Sequence, residues 1–251
     1  MKKEKIYNAY GIQYKAGKIL SPAGEWIKPL LKKGNSKTGA AVFTYSQLAG
    51  CGTWSTSYGD IAGTCAGTCP DCYACAGFYK MKNVQDALAL HTIITRSNLE
   101  FKKAAIIAQI KADKINVVRI HAAGDFDSIQ DVNAWRDIVN ACPGTLFWTY
   151  TKRSWPEIDT LNALQNINIV PSIMAGRVNY GPCADLLKLK EINPAAYICP
   201  CGFIEKHCAD CKACALNSNV IFLLHSTPDY NAADDPLYTE LKNIVINQME
   251  V

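Results

Sequence analysis

Charge is in short supply in this 251-residue chain, where 19% of residues are charged against 49% hydrophobic. Long apolar runs are missing too. None approaches the ~18 residues of a membrane-spanning helix. The charged start, "MKKEKIYNAYGIQYKAG", is not followed by the apolar stretch of a signal peptide. No glycine-rich phosphate loop, Ser-His-Asp arrangement or supported pair of catalytic carboxylates occurs, so the common hydrolase signals are absent. Linkers and low-complexity tracts are lacking as well. The expectation is a cytoplasmic protein with no membrane partner and ample chain for a core.

Cysteine, by contrast, is plentiful, with twelve residues. The stretch "GTCAGTCPDCYACAG" (63–77) carries Cys65, Cys69, Cys72 and Cys75, and "HCADCKACA" (207–215) carries Cys208, Cys211 and Cys214. Both contain the frame C-x-D-C-x-A-C. In a reducing compartment, clustered thiols serve as metal or cluster ligands more often than as disulfides. Cys65-x3-Cys69-x2-Cys72 places three thiolates on one loop, one short of closing a four-iron cubane. One iron is then open to a substrate or cofactor. Cys75 allows another reading, a C-x2-C-x2-C run in which protein holds every iron, and Cys51 is a further candidate ligand.

Cys208-x2-Cys211-x2-Cys214 matches the first three ligands of a ferredoxin run, with Cys199 before Pro200 as the fourth and Cys201 as the alternative. A closed site of this kind suits electron relay or bracing. Four-cysteine zinc is the structural alternative at both places. His121 in the second predicted strand and His225 at the end of the sixth are catalytic candidates at the mouth of the fold, as are Asp125 and Lys152. His207 abuts Cys208, and His91 reads as a helix-surface residue. Cys142 closes a helix as a small buried group, and Cys183 falls in a loop with no assigned role. Arg119 and Asp125 flank the end of the second strand, as an ion pair or as ligand groups.

Nine lysines against two glutamates make residues 1–38 +7, which leaves −3 for the rest of a chain at +4. This basic arm could meet a nucleic acid, although a solvated surface segment is the simpler reading because no arginines cluster there. Beyond it, "AVFTYS" (41–46), "NVVRIHAAGDF" (116–126), "TLFWTY" (145–150), "INIVPSIM" (167–174), "AAYIC" (195–199) and "NVIFLLH" (219–225) read as strands. Between them lie helical stretches. Ser97-x-x-Glu100, Ser128-x-x-Asp131 and Ser154-x-x-Glu157 read as caps, and Asp235-Pro236 reads as the opening of the last helix. Repeated βα units with nearly continuous apolar strands argue for a parallel sheet buried on both faces. The α/β fold is then a partial (β/α)6 barrel or an open doubly wound sheet, with both cysteine-rich loops at the carboxyl ends of the strands. Residues 39–251 form one domain behind the arm.

Cysteines spaced C-x3-C-x2-C after the first strand of a βα barrel resemble the radical S-adenosylmethionine (SAM) superfamily. More narrowly, "CYACAGFYKMKNVQDAL" with "VRIHAAGDFDS", "FWTYTKR" and "CADCKACA" resembles a phage protein family, gene product eighty-eight. By the order of its motifs the likeness covers about residues 38–225. The superfamily resemblance implies a cluster on Cys65, Cys69 and Cys72, and a turn at Gly124-Asp125 that meets the amino group of SAM. It further implies Ser172 near the ribose and Lys152 or Arg153 near a carboxylate. The chain departs from the superfamily at Asp71, where an aromatic residue is usual and here follows as Tyr73. It also has a single glycine at 124 and the additional thiol of Cys75.

The expectation is an iron–sulfur enzyme of radical-SAM type with two four-iron (4Fe-4S) clusters, a small-molecule substrate and an electron donor such as a flavodoxin or ferredoxin. In that chemistry, an electron from the reduced cluster cleaves SAM to methionine and a deoxyadenosyl radical that takes hydrogen from the substrate. The alternatives are a SAM-independent enzyme that binds a sulfur-containing substrate at the open iron, for C–S cleavage or sulfur transfer, and a two-cluster electron carrier. Last comes a zinc-stabilised module that binds nucleic acid through the arm.

Overall fold

The computed structural model describes residues 3–34, 41–50, 52–65, 72, 74, 77–174, 177–204, 208–216, 219–223 and 231–249. The chain opens with α1 (Lys3–Ala9) and a meander of β1 (Tyr14–Lys15), β2 (Lys18–Leu20) and β3 (Trp26–Ile27). β4 (Lys32–Lys33) and β5 (Val42–Thr44) lead into the hairpin of β6 (Thr53–Thr56) and β7 (Gly59–Ala62). Next come α2 (Lys82–Ser97), α3 (Leu99–Asp113), β8 (Val117–Arg119), α4 (Ile129–Ala141), β9 (Leu146–Thr151), α5 (Pro156–Asn162) and β10 (Ile167–Pro171). A short hairpin of β11 (Ile173–Met174) and β12 (Arg177–Val178) follows, then β13 (Tyr180–Gly181), α6 (Cys183–Ile192) and β14 (Tyr197–Ile198). The last part holds α7 (Cys208–Cys211), α8 (Ala213–Leu216), β15 (Val220–Leu223) and α9 (Tyr238–Met249).

Two sheets carry the parallel strands. The larger runs β10-β9-β8-β5-β4, with β4 antiparallel to β5 at its edge and the other four parallel. The smaller runs β13-β15-β14, all parallel. The six expected strands are present as β5, β8, β9, β10, β14 and β15, four in the first sheet and two in the second.

Register assigns side chains to faces, because successive residues alternate across a strand. Val118, Phe147, Ile167 and Ile169 face α3 and α4 and join Ile106, Ile110, Trp135 and Ile138 in the main core. Val42, Val117, Trp148 and Tyr150 look the other way, where Cys208, Cys214 and Ala215 pack against them. Burial on both faces is why these strands read as continuous apolar runs.

α4 starts as its sequence predicts. The Ser128 hydroxyl accepts from the Asp131 N–H at 3.1 Å, and Val132, Trp135, Ile138 and Val139 are buried. Other helix starts differ. Asn98 caps α3, accepting from the Phe101 N–H at 2.9 Å, while Ser97 still belongs to α2 and its hydroxyl donates to the Ile93 carbonyl. A cap needs the non-helical backbone that Asn98 has and Ser97 lacks. α5 opens on Pro156 after Trp155 with no side-chain cap from Ser154, since proline already sets the first-turn geometry. α9 begins at Tyr238; Asp235 instead forms a turn, its carboxylate accepting from the Leu237 N–H at 2.9 Å.

The basic amino-terminal segment is folded onto the body rather than detached as an arm. Tyr7, Ile12, Ile19, Leu30 and Leu31 are buried in the main core. Gln109 of α3 clamps Leu31 at two points: its amide oxygen accepts from the Leu31 N–H at 2.8 Å and its amide nitrogen donates to the Leu31 carbonyl at 2.9 Å. The described lysines of this segment are exposed except Lys32, which is half-buried and whose pKa burial lowers to about 8. Among the described residues, no helix is long and apolar enough to cross a membrane.

Candidate functional site

The first cysteine loop grows out of the carboxyl end of β5. Beyond the strand, Tyr45 N–H donates to the Arg119 carbonyl at 3.1 Å and Gln47 N–H to the Ala123 carbonyl at 2.9 Å. A polar seam then docks this segment on α2. The Gln47 amide and the Tyr45 hydroxyl meet the Thr95 hydroxyl at 2.6 and 3.0 Å, and the Leu48 N–H donates to Thr92 at 3.1 Å. His91 Nδ1 lies 2.9 Å from the Ser46 carbonyl, with its ring stacked on Tyr45. His91 is therefore a buried docking residue and not the surface residue its helix position suggests.

Past the β6–β7 hairpin the chain returns so closely that only glycine fits. A Cβ on Gly63 would lie 1.7 Å from the Ala49 carbonyl oxygen, and one on Gly50 would lie 2.0 Å from that of Cys65. In this crossing the Gly50 N–H donates to Cys65 Sγ at 2.5 Å. Cys65 and Cys72 both pack against Ala49, Ala74 and Ala123. Two of the three expected ligands of the first site thus border one small apolar cluster. Cys69, with Cys51, Asp71, Tyr73 and Cys75, lies outside the described residues.

The Gly124-Asp125 turn is a junction between strand ends and this loop. Gly124 has φ +78°, and a Cβ there would meet Thr64 Oγ1 at 2.7 Å. Asp125 N–H donates to that same hydroxyl at 3.0 Å. Its carboxylate accepts from the Thr151 hydroxyl at 2.7 Å, the Phe126 N–H at 2.8 Å and the Lys152 N–H at 2.9 Å. Burial raises its pKa against these bonds. Arg153 adds a strap, donating to the Thr64 carbonyl at 2.6 Å and the Phe126 carbonyl at 3.2 Å while lying over the Trp155 ring. Arg119 does not pair with Asp125; its guanidinium lies over the Tyr150 ring, 5.2 Å from the centroid.

Ser172 sits just past β10, buried, with its N–H donating to the Thr151 carbonyl at 2.7 Å. His121 turns into the helix-side core instead of a mouth. It has φ +53° and packs edge-on to Phe126 and Trp135, and burial holds its pKa well below the ordinary value. His207 and His225 lie outside the described residues. Cys142 caps the end of α4, and burial pushes its thiol up to about 11. Cys183 is not in a loop; it begins α6 and is fully buried in the second core.

The second group of cysteines occupies the sheet face opposite α3 and α4. Cys199, Cys201, Cys208, Cys211 and Cys214 line one apolar cleft with Val117, Leu146, Trp148 and Val220. Val117 and Leu146 begin β8 and β9, so this cleft reaches the amino ends of those strands and not the carboxyl ends expected from sequence. The Tyr150 hydroxyl donates to Cys214 Sγ at 2.8 Å, and the Asn168 amide donates to the Cys214 carbonyl at 2.7 Å. Burial pushes the Cys214 thiol up to about 11. Burial and then the adjacent Cys211 push Tyr197 up to about 12.

Among the described residues, no cysteine, the five of the cleft included, is in a disulfide. Among the described residues, no three His, Cys, Asp or Glu side chains form a group that could hold one metal ion. Trp148, Tyr150, Asn168 and Tyr197 escaped the sequence reading. The signal available was the alternation in "TLFWTY", which sends Trp148 and Tyr150 to one face.

Fold and site together define a mixed α/β protein with Cys65 and Cys72 beside one small apolar cluster and a five-thiol cleft on the sheet face. Residues 29–201 match the family described as Gene product 88, and over more than two thirds of its length the chain belongs to that family. No curated protein and no solved structure matches the chain.

Proposed function

We propose that the chain is an iron–sulfur enzyme of radical-SAM type, with two four-iron clusters in a partial (β/α)6 barrel. The single observation that carries this reading is the cleft lined by Cys199, Cys201, Cys208, Cys211 and Cys214, none of them in a disulfide. Thiolates are soft ligands suited to iron–sulfur clusters and zinc. A zinc site draws four sulfurs to about 2.3 Å from one centre. Five thiols lining one cleft supply enough ligands for a cluster in which each sulfur meets its own iron.

Cys199, Cys208, Cys211 and Cys214 would hold one cluster, and Cys65, Cys69 and Cys72 the other. When bound, a cluster with an open iron supplies an electron and a Lewis-acidic position for a sulfur-bearing ligand. The Gly50 N–H at Cys65 and the Tyr150 hydroxyl at Cys214 would each offset negative charge on a ligand sulfur. Arg153 and Asp125 fasten Thr64, next to Cys65, to the segments that follow β8 and β9. A small-molecule substrate and a flavodoxin or ferredoxin donor complete the reading.

A second reading drops SAM and puts a sulfur-containing substrate on the open iron. One observation favours it. Both Asp125 oxygens are taken by protein donors and Gly124 is closed over by Thr64, so this turn offers SAM little.

The test is on protein purified and reconstituted without oxygen, with iron, sulfide and zinc quantified and EPR recorded with and without SAM. About eight irons per chain are expected, falling by about half in Cys208→Ser. A signal that shifts with SAM supports the first reading. An unshifted signal supports the second, and zinc without iron overturns both.

A further inference from the structure

Pairing across β8, β9 and β10 places Arg119 and Asn168 beside Trp148, with Tyr150 two residues on, so all four share the face that carries the cysteine cleft. Tyr150 reaches Cys214 Sγ through its hydroxyl at 2.8 Å, and the Arg119 guanidinium lies over that ring, 5.2 Å from its centroid. Trp148 lines the cleft, and its buried indole N–H has no partner among the described residues. A buried donor without an acceptor is costly unless something accepts from it. A thiol of the cleft thus takes a hydroxyl donor whose ring carries a cation over it, and the same lining includes a buried indole whose N–H is unpartnered among the described residues. Such a set suits an anionic, sulfur-rich occupant.

We infer that Tyr150, backed by Arg119 and joined by Trp148, sets the reduction potential of the group held in the cleft. The inference rests on the iron–sulfur reading above. Adding an electron to a cluster increases the negative charge on its sulfurs, and donors and cations nearby favour that state. Losing them must lower the midpoint potential. These are positioning residues, because they act on ligand sulfurs and not on a substrate.

The test uses the full chain, reconstituted without oxygen, as wild type, Tyr150→Phe, Arg119→Met, Arg119→Lys and Trp148→Phe. Iron and sulfide are counted first, and a redox titration is then followed by EPR on the signal that Cys208→Ser removes. The expected result is full iron in each variant, with the midpoint potential lowered in Tyr150→Phe, Trp148→Phe and Arg119→Met and lowered less in Arg119→Lys. Unchanged potentials at full iron would overturn the inference and leave the iron–sulfur reading standing. Loss of iron in both Tyr150→Phe and Arg119→Met would assign these residues to building the site and likewise overturn it. Wild-type protein holding zinc and no iron would bring down the iron–sulfur reading itself, and the inference with it.

Discussion

Lys102 is fully buried, with Asp131 as its ion-pair partner and the rings of Tyr45 and Trp135 each 4.8 Å from its ammonium. Removing one member of such a pair strands a charge. Lys102→Met is expected to cost about 3–5 kcal/mol of stability, and replacing both partners by apolar residues to recover most of it; denaturant titration of the single and double variants decides. His91 sets a pH dependence. Burial, reinforced by the charge of Lys32, lowers its pKa to about 3, whereas the unfolded ring takes a proton near ~6.5. Between those values the unfolded chain binds the extra proton, so stability falls as pH drops, by about 1.4 kcal/mol per pH unit for this ring. His121 acts in the same direction, while Asp125, whose pKa burial raises, favours the folded chain on the acid side. Denaturant midpoints measured across this range should fall toward acid, with a shallower slope in His91→Gln; an unaltered slope in that variant would refute the assignment.

Among the elements, α3 joins the two ends of the fold's logic. It is buried nearly all round, and Gln109 stands on it as a substitute strand partner for Leu31, 78 residues away. Gln109→Ala leaves two buried backbone groups unpaired, at about 1–3 kcal/mol. Hydrogen exchange at the Leu31 amide should speed up by a corresponding factor, while exchange in β9 stays slow; equal protection would show the clamp to be idle. The elements that were legible in sequence share a local cause. Continuous apolar runs gave the parallel strands, Ser128 announced α4, and cysteine spacing marked both thiol groups. What escaped depends on long-range contact. Asn98 rather than Ser97 caps α3 because of where the backbone leaves the helix. The Gly50–Gly63 crossing and the Arg119–Tyr150–Cys214 array join segments with no common periodicity. His91 and His121 sit at positions whose neighbours come from other elements, so a local pattern could not report their burial.

For the molecule as a whole, the amino-terminal segment counts as core. Deleting residues 3–34 would uncover α3 and remove the edge strand β4, and the expected result is insoluble or molten protein rather than a trimmed domain. Soluble truncated protein with a sharp thermal transition would contradict this. The same packing has a consequence for how the chain is made. Residues 3–34 leave the ribosome before α3 exists, and the clamp that Leu31 needs is encoded 78 positions later. They must therefore wait, exposed, while β5, β8 and β9 assemble around their helices. Pulse-labelled refolding should show β8 and β9 amides protected first and those of residues 12–31 last. Between this segment and α3, synthesis then runs in one direction and consolidation in the other, with the segment made earlier locked later.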